Sequence, residues 1–140
     1  MTQCGTKDIN RSFSSDQTNR LLSADAEKAW ILVSRIENGE NVYNDCLENN
    51  SLTFVHATTE DSLYVLGRAT NCGSTTTIDT LYKAKYTLDA NDNEIFQNTI
   101  SLTDESHQSI ESIQVGELTS SILKVSYTAN GRAIQESYSY

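Results

Sequence analysis

Apolar and polar side chains alternate along most of the chain from Lys28 onward, with a period of two residues. This is the period of a β-strand, in which successive side chains point to opposite faces. The first such segment, KAWILVSRI, has Ile31 and Val33 on one face, and its other face carries Trp30, Leu32, Ser34 and Ile36. Because both faces hold apolar side chains, we expect this strand to be covered on both sides for part of its length.

Seven more segments continue the alternation to the end of the sequence. They are SLTFVHA, SLYVLGRA, TTIDTLYKAKYTL, IFQNTISLTD, SIESIQVGEL, SSILKVSYT and RAIQESYSY. Short turn-forming stretches separate most of them. Asn130 and Gly131 give the strongest turn signal, because both residues tolerate the positive φ of a two-residue hairpin. The pattern predicts about eight strands in an antiparallel meander.

Eight consecutively paired strands can remove both exposed sheet edges by closing into a barrel. At that number, the interior is either filled by side chains or lined around one small ligand. A two-sheet sandwich is the alternative, but it needs longer crossover connections than those between most of these strands. We therefore predict an all-β fold, with an eight-stranded antiparallel meander closed into a barrel.

The start of the chain has a different character. It is rich in Ser, Thr, Asn, Asp and Gln, and it offers too little apolar surface to offset the entropy of ordering itself. We predict a flexible polar tether over residues 1–24 and a barrel domain over residues 25–140. Near the junction we expect one or two helical turns, in which Ser23 caps the start and Leu21 and Leu22 pack against the domain.

Composition narrows the possible partners. The chain has 140 residues, enough for one domain, and a net charge of −9 from 19 acidic and 10 basic side chains. Such a field repels phosphate backbones and anionic lipid surfaces, so we expect no nucleic-acid partner. The sequence also lacks a run of 18 apolar residues, so we expect no membrane-spanning helix.

Two of the three cysteines flank predicted strands. Cys46 precedes the second strand and Cys72 follows the third. Antiparallel pairing of those strands would bring the two cysteines to the same end of the barrel, where they could form a disulfide. Such a bridge would stabilise the fold by roughly 3 to 4 kcal/mol and would indicate an oxidising compartment. Two unrelated buried thiols in a cytosolic protein are the alternative.

The third cysteine, Cys4, lies in the predicted tether. An odd cysteine at the head of a polar leader resembles the lipid-modified first residue of a mature bacterial lipoprotein. We therefore expect an extracytoplasmic protein that meets a membrane only through a lipid anchor on Cys4. A free thiol or an intermolecular bridge is the alternative.

The order of these features resembles the lipocalin-like domains of Bacteroidetes lipoproteins, over about residues 26–128. The residues that match the family pattern are Trp30, Cys46, Leu52, Thr53, Phe54 and Cys72. Where the family usually has W-x-L, this chain has Tyr86, Thr87 and Leu88, and in place of the G-x-W of true lipocalins it has Lys28, Ala29 and Trp30. The resemblance implies a calycin-type barrel with Cys72 as the partner of Cys46.

Residues that could carry catalysis are sparse. Of the two histidines, His56 is in phase with Phe54, so we expect an inward-facing structural residue, and His107 falls in a loop. The stretch DANDNE has the oxygen spacing of the start of a calcium loop, but Glu94 and Ile100 replace the required Gly and Glu, so a hairpin turn is favoured. Because no nucleophile, phosphate or dinucleotide motif is present, we expect no enzyme activity, no metal and no cofactor.

The remaining function classes are binding and adaptor roles. We expect a monomeric binding domain that takes a small apolar or amphiphilic ligand into the barrel, with the following candidate lining residues: Trp30, Leu32, Phe54, Val65, Tyr82, Tyr86, Leu123 and Tyr127. Core packing is the alternative interpretation for each tyrosine. The alternative function is a structural or adaptor domain of the cell envelope, with a filled core, that binds a protein or glycan partner through its loops. A cavity of roughly a few hundred cubic ångströms would favour ligand binding, whereas a filled core would favour the adaptor.

Overall fold

Strands account for most of the computed structural model, which describes residues 15–67, 78–89, 98–103, 110 and 112–140. Within these ranges, one α-helix, α1, spans Ser15–Ser23, and a short 3-10 helix spans Asp45–Leu47. The strands are β1 (Glu27–Glu37), β2 (Glu40–Asn41), β3 (Ser51–Val55), β4 (Asp61–Gly67), β5 (Asp79–Asp89), β6 (Asn98–Thr103), β7 (Ser112–Leu118), β8 (Ile122–Ala129) and β9 (Arg132–Ser139).

The strands form an antiparallel meander that closes on itself. From β3 to β9, each strand pairs with the next one along the chain, and β1 pairs with β3 on one side and with β9 on the other. The two-residue β2 only extends the far end of β1, where Glu37 faces Glu40. The prediction of an eight-stranded antiparallel barrel is confirmed, because closure through β1 and β9 leaves neither strand as a sheet edge.

A β-bulge at Val33 changes which side chains of β1 point inward. Leu32 pairs with Tyr138, but the next pair is Ser34 with Ser137, so one extra residue is accommodated in β1. An extra residue shifts the side-chain phase by one. The prediction that Ser34 and Ile36 share the face of Trp30 is therefore wrong.

The expectation that β1 is covered on both faces is also wrong. Ile31 is 39% exposed and Val33 is 48% exposed, whereas Trp30 and Leu32 on the opposite face are buried. The outer face of β1 lies on the surface of the barrel, and the core is on its inner side only.

Helix α1 covers the end of the barrel at which β1 begins, which we call the plugged end. Leu22 is fully buried there, and Leu21 packs against the core. Trp30 Nε1 donates to the carbonyl oxygen of Leu22 at 2.9 Å, and Lys28 Nζ donates to that of Leu21 at 3.2 Å. The last four carbonyls of a helix have no partner within it, so these two bonds from β1 satisfy the end of α1.

The helix begins earlier than the sequence predicts. Ser23 is its last residue instead of its N-terminal cap, and Ser23 Oγ donates to the carbonyl oxygen of Asn19 at 2.7 Å. The expected packing of Leu21 and Leu22 is confirmed. α1 takes up residues that the sequence assigns to a tether, and residues 1–14 lie outside the described ranges, so for them the tether stays a prediction. In the part of the chain that is described, no helix is both long enough and apolar enough to cross a lipid bilayer.

Two Asn-Gly pairs lie in turns, and one of them is the predicted hairpin turn at Asn130 and Gly131. Asn130 has φ +53° and Gly131 has φ +77°. These two residues form the turn that joins β8 directly to β9. Asn38 and Gly39 have φ values of +50° and +87° between β1 and β2. Positive φ at both central residues is what a type I′ hairpin requires.

Candidate functional site

The end of the barrel opposite α1, which we call the open end, contains a cavity of about 200 Å³. β1 ends here, β3 begins here, and the hairpin between β8 and β9 turns here. The apolar part of the lining includes Leu32, Leu52, Val65, Ile113, Val125 and Ile134, and the polar part includes Arg35, Asn50, Tyr127, Asn130, Glu136 and Tyr138. The cavity therefore combines an apolar wall with a group of polar side chains.

A charged network begins in the polar part of the lining, at Arg35, Glu136 and Tyr138, and continues outside the cavity to Glu37 and Arg132. Arg35 Nη1 donates to Glu136 Oε2 at 2.8 Å, and the hydroxyl of Tyr138 donates to Glu136 Oε1 at 2.7 Å. Arg35 Nε also donates to Glu37 Oε2 at 2.8 Å, and Arg132 Nη1 donates to Glu37 Oε1 at 3.0 Å. The side chain of Glu136 is only 4% exposed. All four carboxylate oxygens thus hold a donor, and the two arginines balance the two glutamates.

The net pKa shifts of Glu136 and Glu37 have opposite directions, although burial raises the pKa of both carboxyl groups. For Glu136, desolvation raises the pKa. This effect outweighs the hydrogen bonds from Tyr138, Arg35 and Tyr127 and the positive charge of Arg35, all of which lower it. For Glu37, desolvation is outweighed by the hydrogen bonds and charges of Arg35 and Arg132, so its pKa is lowered. The network therefore favours the ionised form of Glu37, whereas the ionised form of Glu136 is less favourable than it would be in water.

Desolvation also works against the charge of Arg35. The electrostatic influence of Tyr127, Glu136 and Glu37 outweighs it, and the pKa of Arg35 is raised. Arg35 is therefore a cation over the whole physiological pH range, and its charge is already matched by its protein partners.

Asn50 and Gly67 approach each other closely beside the cavity. A Cβ placed on Gly67 would lie 2.8 Å from both Cγ and Oδ1 of Asn50, which is closer than such atoms can pack. Asn50 Oδ1 is buried and makes no hydrogen bond to any part of the chain that is described. Glycine at residue 67 thus makes room for the amide of Asn50 in the cavity wall.

The structure divides the predicted lining residues between the two halves of the barrel. Leu32, Val65 and Tyr127 line the cavity at the open end. The side chain of Tyr82 lies outside the described part of the chain, although its backbone pairs with Val65. A ligand-binding role for these residues stays a prediction.

The other four predicted residues pack in the plugged half. Trp30, Phe54, Tyr86 and Leu123 are buried in the hydrophobic core. The rings of Phe54 and Tyr86 meet edge to face, with centroids 5.4 Å apart, which is a favourable aromatic geometry. These side chains fill the barrel beneath α1 and do not line the cavity.

Sequence reasoning did not select Arg35, Asn50, Glu136 or Tyr138. For Glu136 and Tyr138 a signal was available, since both lie in phase with the buried Ile134. For Arg35 there was none, because the bulge at Val33 that turns it inward leaves no mark in the hydrophobic pattern. Asn50 directly precedes β3, outside the alternating pattern, and its place in the cavity wall follows from closure of the barrel.

His56 lies at the plugged end, where it connects α1 to the barrel. β3 ends at Val55, and the His56 side chain is 41% exposed, so the prediction that it faces inward is wrong. Its Nδ1 lies 2.7 Å from Asp61 Oδ1 and 3.0 Å from Asn19 Nδ2. The hydroxyl of Tyr86 donates to Asn19 Oδ1 at 2.8 Å. These contacts fix the helix in place and lie away from the cavity.

Of the two cysteines that we expect to form a disulfide, the structure describes only Cys46. Cys46 lies in the 3-10 helix between β2 and β3, half-buried. β4 ends and β5 begins at that same end of the barrel, at the paired residues Gly67 and Asp79. Cys72 is not among the described residues, so its pairing with Cys46 stays a prediction. The same holds for Cys4, His107 and the stretch DANDNE.

Comparison of the chain with protein-family models, with curated proteins and with solved structures gave no match. The resemblance to lipocalin-like domains therefore stays a prediction, and the function is argued from the geometry of the cavity.

Proposed function

We propose that this chain is an extracytoplasmic, lipocalin-like binding domain that takes a small apolar or amphiphilic molecule into the open end of its barrel. The observation that carries this proposal is the cavity of about 200 Å³, lined by apolar side chains and by a few convergent polar groups. Ligand sites in proteins commonly have this composition. A cavity of about 150 Å³ already holds benzene, so the ligand is compact, smaller than a drug-sized molecule.

Two matched substitutions test the proposal. Val65→Phe adds bulk to the cavity wall, and Val33→Phe makes the same change on the outer surface, where Val33 is 48% exposed. We expect isothermal titration with 1-hexanol to show saturable binding to the wild type and to Val33→Phe, with at least about tenfold weaker binding to Val65→Phe. Equal binding to all three proteins, or binding to none, would contradict the proposal.

The second candidate function is a non-catalytic adaptor domain that binds a protein or glycan partner through its loops. It is favoured by the size of the cavity, since 200 Å³ lies below the roughly 300 Å³ at which sites for drug-sized ligands begin. Absence of hexanol binding to a folded wild-type protein would support this function over ligand uptake.

The proposed location depends on the cysteines. We propose that Cys46 and Cys72 form a disulfide, that Cys4 carries a lipid anchor, and that the domain functions as a monomer in an oxidising compartment. The strand order supports the disulfide, because it brings the ends of β4 and β5 to the end of the barrel that carries Cys46. The lipid anchor is supported by the position of Cys4 in a polar leader. Mass spectrometry of protein from its own host checks both modifications, as the loss of two hydrogens and the gain of a lipid mass.

A further inference from the structure

We infer that the cavity selects an uncharged ligand and rejects amphiphiles with a carboxylate head, such as fatty-acid anions. This inference rests on the proposed binding function and adds the class of ligand. It is carried by the way in which the network of Arg35, Glu37, Arg132 and Glu136 is already balanced within the protein.

Among the described residues that line the cavity, Arg35 is the cation, and an incoming carboxylate would need it as a partner. However, Arg35 already donates from Nη1 to Glu136 and from Nε to Glu37, both at 2.8 Å. Arg35 has further N–H donors on Nη1 and Nη2, but a carboxylate that used them would be the third anion at one guanidinium. To form a better contact, a ligand carboxylate would have to displace one of the two glutamates.

Displacing Glu136 is unfavourable because this carboxylate is almost completely buried, with a side chain 4% exposed. Its other oxygen holds the hydroxyl of Tyr138 at 2.7 Å. Removing one partner from a buried ion pair leaves an uncompensated charge. The raised pKa of Glu136 supports this point, since the site does not fully compensate the anion that it already contains. A second anion beside it would add like-charge repulsion.

The same balance of charges between the arginines and the glutamates disfavours a ligand with a cationic head group. Both oxygens of Glu136 and both oxygens of Glu37 already hold donors from Arg35, Arg132 and Tyr138. An ammonium ligand would lie next to the fixed charge of Arg35 and would find each carboxylate already paired. The other lining residues within the described part of the chain are apolar or uncharged, and they suit a ligand whose head is a hydroxyl or another neutral polar group.

Three probes of equal chain length test the inference: 1-hexanol, hexanoate and hexylammonium, titrated into the wild-type protein by calorimetry at pH 7. We expect 1-hexanol to bind at least about tenfold more tightly than either ion. Either ion binding as tightly as 1-hexanol would overturn the inference and leave the binding function intact. If none of the three probes binds, the proposed function itself fails.

A charge variant tests the role of the network directly. Glu136→Gln removes the buried anion and leaves Arg35 with one carboxylate partner, so we expect the ratio of 1-hexanol to hexanoate affinity to fall by at least about threefold. The control is Glu117→Gln, which removes the same charge from an exposed ion pair with Lys124 and should leave the ratio at its wild-type value. An equal change of the ratio in both variants would show that only the net charge of the protein matters. An unchanged ratio in Glu136→Gln would show that the network does not determine the selectivity. Circular dichroism of each variant confirms that the barrel is folded.

Discussion

At the scale of single residues, the close approach of Gly67 and Asn50 is the tightest constraint beside the cavity. Gly67 ends β4, and its missing side chain leaves space that the amide of Asn50 occupies. Well-packed interiors tolerate added atoms poorly, because neighbouring groups must leave their preferred positions.

An added Cβ at residue 67 would meet the end of the Asn50 side chain, which can move aside. We therefore expect Gly67→Ala to lower the free energy of unfolding by about 1 kcal/mol, the low end of the range for overpacking. Urea unfolding followed by the fluorescence of Trp30, the single tryptophan of the chain, measures the change. The control is Gly116→Ala, where the nearest atom to an added Cβ is 3.8 Å away. Combining Gly67→Ala with Asn50→Ala should restore most of this loss, and a strictly additive double variant would refute the proposed clash.

The pH dependence of stability tests the buried carboxyl of Glu136. Its pKa in the folded protein is raised above the ordinary value of 4.5, so above that pH the unfolded chain releases its proton first. Proton release from the unfolded state favours unfolding, and this contribution grows until the pH passes the folded pKa. Below pH 4.5 the carboxyl is protonated in both states, and the contribution disappears.

Glu136→Gln lacks this titration. We expect the stability of the wild type, measured relative to Glu136→Gln by urea unfolding, to fall as the pH rises from 4 towards neutrality. Glu37 is present in both proteins and largely cancels in the comparison. A relative stability that rises with pH would mean that the fold favours the ionised form of Glu136, in contradiction to its burial.

At the scale of elements, α1 is the part of the fold that the barrel pattern did not require. It closes the plugged end through Leu22, which is fully buried, and through the bonds that Trp30 and Lys28 donate to its last carbonyls. Asn19 adds a polar link to Asp61 at 3.0 Å. The helix thus completes the core of the barrel.

Truncating Leu22, the buried leucine of the helix, should therefore destabilise the whole domain. For Leu22→Ala we expect a loss of about 2 to 5 kcal/mol in the free energy of unfolding, the range for a truncated core leucine. The neighbouring Leu21 is only partly buried, so Leu21→Ala should cost clearly less. Thermal unfolding by circular dichroism makes the comparison. A Leu22→Ala protein as stable as Leu21→Ala would show that α1 does not contribute to the core.

The strands were predictable from sequence, and their exact phase was not. Alternation predicted the meander and its closure, because eight half-buried strands have few other ways to cover their apolar faces. The Val33 bulge, which turns Arg35 inward, depends on pairing with β9, about a hundred residues later in the chain. Such long-range pairing leaves no local signal, so the place of Arg35 in the cavity wall could not be foreseen, whereas those of Leu32 and Val65 could.

At the scale of the whole molecule, the barrel has two halves with different roles. The plugged half is filled by aromatic and aliphatic side chains beneath α1, which include Trp30, Phe54, Tyr86 and Leu123. The open half keeps a cavity of about 200 Å³ between its apolar wall and a neutralised ionic network. Burial of apolar surface in the filled half stabilises the fold, and the cavity leaves room for a ligand in the open half.

The most direct test of this account is a titration of the protein with 1-hexanol, observed through its methyl groups by carbon–proton NMR. We predict saturable shift changes that are largest at the cavity methyls of Leu32, Val65 and Val125. The methyls of Leu22 in the plugged half should change little. No saturable change, or changes centred on the exposed Ile31 and Ile122 of the outer surface, would contradict a ligand site inside the barrel.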